Sequence, residues 1–166
     1  MNKKVFQILA DNTTGVLSRI SGLFSRRGYN IESITAGVTA QTDFTRITIV
    51  ATGDDDVLEQ IEKQVAKLVD VKAITVLEAD LSVYRELGLV KVKTSNIDER
   101  EAVKSIVDFY KAKIIDVSYD SLIIELTGNS AKIDSFLDML RDYEILELAR
   151  TGIAGLCRGS EGVIRL

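Results

Sequence analysis

The chain has 166 residues, 46% hydrophobic and 28% charged, with a formal net charge of -4. That length suits one medium domain or two small ones. The apolar content argues against disorder, and the mild acidity of both halves offers no basic face for nucleic acid.

There is no histidine, no proline and one cysteine. The commonest general base and metal ligand is therefore missing, and no internal disulfide can form. No apolar run approaches the ~18 residues that span a bilayer. Met1-Asn2-Lys3-Lys4 leads directly into an alternating apolar stretch, unlike a signal peptide. The expectation is a cytoplasmic protein without membrane contact.

In chain order, Val5 to Ala10 is a short apolar run that suits a buried strand. The turn Asp11-Asn12-Thr13-Thr14-Gly15 follows. Val16, Leu17, Ile20, Leu23 and Phe24 then recur at helical spacing, and Arg26-Arg27-Gly28 ends that helix with cations and a glycine. Tyr29 to Thr39 and Thr45 to Thr52 are rich in β-branched residues and read as strands around a hairpin loop, 40–43. Asp54-Asp55-Asp56 opens a second helix, its acids at the positive end of the helix dipole, with Val57, Leu58, Ile61, Val65 and Leu68 inward. Lys72 to Glu78 is a fourth strand.

The second half repeats the order. Leu87 to Thr94 is a strand, and Asp98 to Tyr110 a helix with Val103, Ile106, Val107 and Tyr110 inward. Lys113 to Tyr119 and Leu122 to Thr127 are strands. Ser130 to Arg141 is a helix carrying Ile133, Phe136, Leu137 and Leu140 on one face, and Ile145 to Arg150 is the last strand. The fold class is α+β: two ferredoxin-like βαββαβ units, residues 1–79 and 80–166, each a four-stranded antiparallel sheet with two helices on one face. The open face of each sheet must be solvated or covered by a partner.

Fold alone does not assign function. Metal transfer would need paired thiols or a Cys/His cluster. RNA binding would need aromatic residues on the first and third strands, where Phe6 stands nearly alone. Gly152, Gly155 and Gly159 lack the lysine and hydroxyl residue of a phosphate loop and read as a flexible C-terminal loop or docking segment. Cys157 lacks an activating histidine and reads as a small apolar filler. No catalytic or metal-binding set emerges.

The turn at 11–15 has two readings. A helix N-terminus presents unpaired N–H groups and partial positive charge to a carboxylate. Gly15 permits close approach, and Asn12 both donates and accepts. Equally, Asn, Thr and Gly are ordinary helix-capping residues.

The run from Asp11 to Ile34, with Asn12-Thr13-Thr14-Gly15-Val16-Leu17-Ser18-Arg19-Ile20 and Arg27-Gly28-Tyr29-Asn30-Ile31-Glu32-Ser33-Ile34 as its ends, resembles the ACT-domain signature of acetolactate synthase regulatory subunits. Arg46-Ile47-Thr48-Ile49, 57–71 and Ala149-Arg150-Thr151-Gly152-Ile153-Ala154-Gly155-Leu156 agree with the same family. The resemblance covers almost the whole chain. It implies an ACT domain over 1–79 and a C-terminal ferredoxin-like domain with a glycine-containing tail over 80–166.

It also implies a non-enzymatic regulatory role. The partner would be a catalytic subunit carrying thiamine diphosphate, magnesium and FAD, with no cofactor in this chain. The chain would activate that subunit and mediate feedback inhibition by valine in branched-chain amino-acid synthesis. The resemblance further implies a homodimer or higher homo-oligomer with the effector at the pair interface. Asn12, Gly15 and Val16 would meet the head group, Leu17 the side chain, and Asn30 and Ile31 would come from the second copy. Cys157 stands where relatives often have serine, and Thr35-Ala36-Gly37-Val38 departs from the common pattern at the selectivity end of the site. The alternative is a free-standing ACT-type sensor that regulates another enzyme or a transcription factor.

Overall fold

The structure, a computed structural model, describes residues 2–160. In order, its elements are β1 (Asn2–Asp11), α1 (Val16–Arg27), β2 (Asn30–Val38), β3 (Phe44–Gly53), α2 (Asp55–Val65) and β4 (Val71–Val76). A 3-10 turn at Ala79–Leu81 leads to β5 (Ser82–Lys93), α3 (Ile97–Tyr110), β6 (Lys113–Val117), β7 (Ser121–Gly128), α4 (Ser130–Met139), β8 (Ile145–Arg150) and β9 (Ala154–Cys157). Every expected element is present. The ninth strand was not expected, because Ile145 to Arg150 read as the last.

Two compact units result. Among the described residues, the first runs to Tyr84 and resumes at Ile153, and the second is Arg85–Gly152. The expected single crossing at 79/80 thus differs from the observed division. The chain leaves the first unit within β5 and returns to it after β8.

In the first unit the strand order is β2-β3-β1-β4, all antiparallel, the ferredoxin-like arrangement. Period-2 alternation sends Phe6, Ile8 and Ala10 of β1 and Ile47, Ile49 and Ala51 of β3 to one face. There they pack on Val16, Ile20, Leu23 and Phe24 of α1 and on Leu58, Ile61 and Val65 of α2. Burying each large apolar side chain contributes about 1.5–3 kcal/mol. Gly28 ends α1 in the left-handed conformation at φ 66°, which an L-residue adopts only with strain. Asp54 caps α2, its side chain accepting from Val57 N at 2.9 Å.

The opposite face of this sheet is covered in part by the chain itself. Val5, Val50, Leu77 and Ile153 form a buried cluster with Tyr84 and Cys157 against it. Gln7 is buried there, its Nε2 donating to Gly155 O at 2.6 Å and its Oε1 accepting from Arg46 Nη1 at 2.8 Å. β9 pairs with β5, and Arg158 N donates to Leu81 O at 2.7 Å. The glycine-bearing segment is therefore a docked strap. A Cβ on Gly155 would lie 2.8 Å from Leu77 Cδ1 and 3.0 Å from Tyr84 Cδ1, which explains glycine at that position.

In the second unit the order is β6-β7-β5-β8, again antiparallel. Val90, Val92, Leu122, Ile124 and Leu126 pack on Val103 and Val107 of α3, on Ile133 and Phe136 of α4 and on Leu140 at its C-terminal end. Arg150 of β8 grips the buried Glu86 of β5 through two N–H donors, both at 2.8 Å, and donates to Asp134 at 2.7 Å. No described helix is long and apolar enough to cross a membrane.

Candidate functional site

The turn between β1 and α1 begins where Asp11 pairs with Phe44 at one end of the sheet. Its shape comes from backbone bonds. Asn12 N donates to Asp43 O at 2.7 Å, and Val16 N to Thr13 O at 3.2 Å. Gly15 is the N-cap of α1 at φ 85°, a conformation suited to glycine.

No side chain caps α1, and its first turn holds no acid. The other three helices are capped by Asp54, Asn96 and Asn129, each accepting a backbone N–H. The cap of α1 is thus the glycine of this turn, Gly15, with no side chain accepting a helix N–H. Asn12 instead donates from Nδ2 to Thr42 O at 2.9 Å, and the Thr13 hydroxyl lies 3.5 Å from the Asp70 carboxylate. The first turn of α1 carries no acidic residue of its own, an arrangement that suits a ligand carboxylate.

The side chains named from sequence fall in different places. Asn12 is exposed at the turn. Val16 turns its side chain into the core, so only its backbone faces the turn. Leu17 points outward, 43% exposed. Asn30 is exposed at the start of β2, donating to Thr52 Oγ1 at 3.0 Å, and Ile31 is half-buried against the core.

One chain does not bring these two groups together. Val38, the last residue of β2, pairs with Thr45 beside the turn, whereas Asn30 pairs with Thr52 at the far end. The eight intervening steps span roughly 25 Å. β2 is also an edge of the described sheet, the kind of strand that invites pairing with another chain.

Residues that sequence reasoning did not single out shape the turn. Asp70, in the loop before β4, accepts from Arg19 Nε at 2.6 Å and Nη2 at 2.8 Å. The Arg19 guanidinium holds the Asp70 carboxyl below the usual carboxylate range, against the opposing effect of desolvation. Hydrogen bonding to Asp70 in turn raises the pKa of Arg19. Lys72 pairs with Asp11 at 2.7 Å. Among the described residues no group of three or more Cys, Asp or Glu is placed to hold a metal ion.

A family described as the AHAS small subunit-like ACT domain matches residues 6–73, and one described as the small subunit of acetolactate synthase matches residues 85–159. A probable acetolactate synthase small subunit of Methanothermobacter thermautotrophicus is 47% identical over 156 residues, 94% of this chain and 93% of its own. The acetolactate synthase isozyme 3 small subunit of Salmonella typhimurium is 45% identical over 160 residues, 96% of this chain and 98% of its own. The crystal structure of the acetolactate synthase small subunit of Thermotoga maritima superposes with a TM-score of 0.88 at 36% identity, covering 96% of this chain and 99% of that one.

Proposed function

The chain belongs to the family of acetolactate synthase small subunits, and from that premise we propose that it is a regulatory subunit that senses a branched-chain amino acid, valine first among them. It activates a catalytic subunit in the cytoplasm and carries feedback inhibition to it. The reaction would take place on that partner, where thiamine diphosphate would supply the carbon–carbon chemistry and magnesium and FAD would also be bound. This chain contributes binding and control.

The observation that carries the sensing role is the separation of the two half-sites within one chain. A second copy paired antiparallel along β2, about a two-fold near Ile34, sets Asn30 of one chain beside the Val38 end of the other. That end adjoins the turn. Asn12, Gly15, the Val16 backbone and Leu17 then face Asn30 and Ile31 of the second copy. The helix start takes the carboxylate, the asparagines share the ammonium and carboxylate, and Leu17 touches the aliphatic side chain.

A site between two copies responds to their relative placement. An effector that favours one placement shifts that population, which is the thermodynamic requirement for control at a distance. The match of the second unit to the same family favours an acetolactate synthase partner over a free-standing sensor.

The test is reconstitution. The chain alone forms no acetolactate. Added to the catalytic subunit it raises the rate, and valine suppresses the increment. A catalytic subunit indifferent to the chain, with or without valine, contradicts the reading.

A further inference from the structure

We propose that Arg19 and Asp70 are positioning residues for the loop 11–15, holding its backbone in the shape that receives an amino-acid head group. This rests on the reading of that loop as the effector site.

Asp70 touches every part of the loop's frame. Its carbonyl accepts from Asp11 N at 2.8 Å, fixing the strand end that enters the loop. Its carboxylate lies 3.5 Å from the Thr13 hydroxyl inside the loop and takes two N–H donors from Arg19, on the helix that leaves it. Arg19 reaches back as well, with Nη1 3.5 Å from Thr14 O. That same Nη1 lies 2.9 Å from where a Cβ on Gly15 would sit. The positive φ calls for glycine at position 15, and the guanidinium end of Arg19 lies close against it.

The paired, planar geometry matters more than the charge alone. A fork of two parallel donors fixes orientation, which a lysine ammonium does not do. Asp70 is only 9% exposed, so its carboxylate depends on these donors. Neither side chain caps the start of α1. The clamp therefore shapes the loop without placing a capping side chain on the helix start.

The experiment uses the full chain and the variants Arg19→Gln, Asp70→Asn, Arg19→Lys and the Gln/Asn double, well below their melting points, with circular dichroism verifying the fold. Calorimetry reads the binding of valine, leucine and isoleucine. Amide hydrogen exchange reads residues 12–17 without ligand. Each of the two single neutral variants weakens all three amino acids by a similar factor, about tenfold. The double loses no more than either single, because one pair is removed in each case. Arg19→Lys recovers only part of the affinity, and exchange protection falls in 12–17. Unchanged exchange and affinity in both single neutral variants, with wild-type binding intact, overturns the clamp alone. A wild type that binds none of the three amino acids overturns the effector reading, and the head-group role of the clamp with it.

Discussion

The Arg19–Asp70 pair is the residue-scale feature that ties the candidate site to pH. Hydrogen bonding from Arg19 depresses the Asp70 carboxyl in the folded chain below its ordinary value of ~3.9. The unfolded chain therefore takes up that proton first as the solution is acidified. The stabilisation from the pair is complete above the unfolded value and disappears as pH falls through the folded one. Thermal melts of the wild type and Asp70→Asn should differ by a constant gap from pH 7 to about 5, and the gap should close below about pH 4. A gap that widens toward acid contradicts this assignment. Asn12 and Gly15 were legible as candidates because their types suit the end of a strand and the start of a helix. Arg19 and Asp70 were not, since the partners lie 51 residues apart among 21 basic and 25 acidic side chains with nothing local to pair them. That Gly15 caps α1 without help from a neighbouring side chain was hidden for a similar reason. The side chains of Asn12 and Thr13 reach Thr42 and Asp70, partners that only the fold brings near.

At the scale of elements, the helices and most strands were legible because a half-buried element carries its period openly, whereas β8, exposed along its whole length, was read from its apolar residues alone. Ile20, Leu23 and Phe24 mark one face of α1, and Phe6, Ile8 and Ala10 one face of β1. β9 has four residues, one a glycine, with no alternation to reveal it. Its partner face is also disguised, because Gln7 looks solvent-facing in sequence yet is buried beneath Gly155. The strap predicts a cost for added bulk. Gly155→Val places a side chain against Leu77 and Tyr84 and should lower the stability of the chain by about 1–3 kcal/mol in denaturant titration. Stability unchanged in that variant would show that the strap does not pack as described. Gly159, at φ 68° with open space around a Cβ, has no comparable packing role.

For the molecule as a whole, the proposed effector site is complete only in a pair. An isologous pair has two equivalent sites, each taking Asn12 from one chain and Asn30 from the other. Asn12→Ala and Asn30→Ala homodimers each have both sites damaged. A mixed dimer has one site damaged twice and one intact. The most direct test is calorimetric valine binding by the two variants, first separately and then after subunit exchange by mild denaturation and refolding in equal amounts. Each variant alone should bind no valine in the range where the wild type saturates. The exchanged mixture should recover about a quarter of the wild-type sites, since random pairing makes half the dimers mixed and each mixed dimer holds one intact site. Wild-type binding by either variant alone, or no recovery after demonstrated exchange, would contradict a site shared between two copies of the chain.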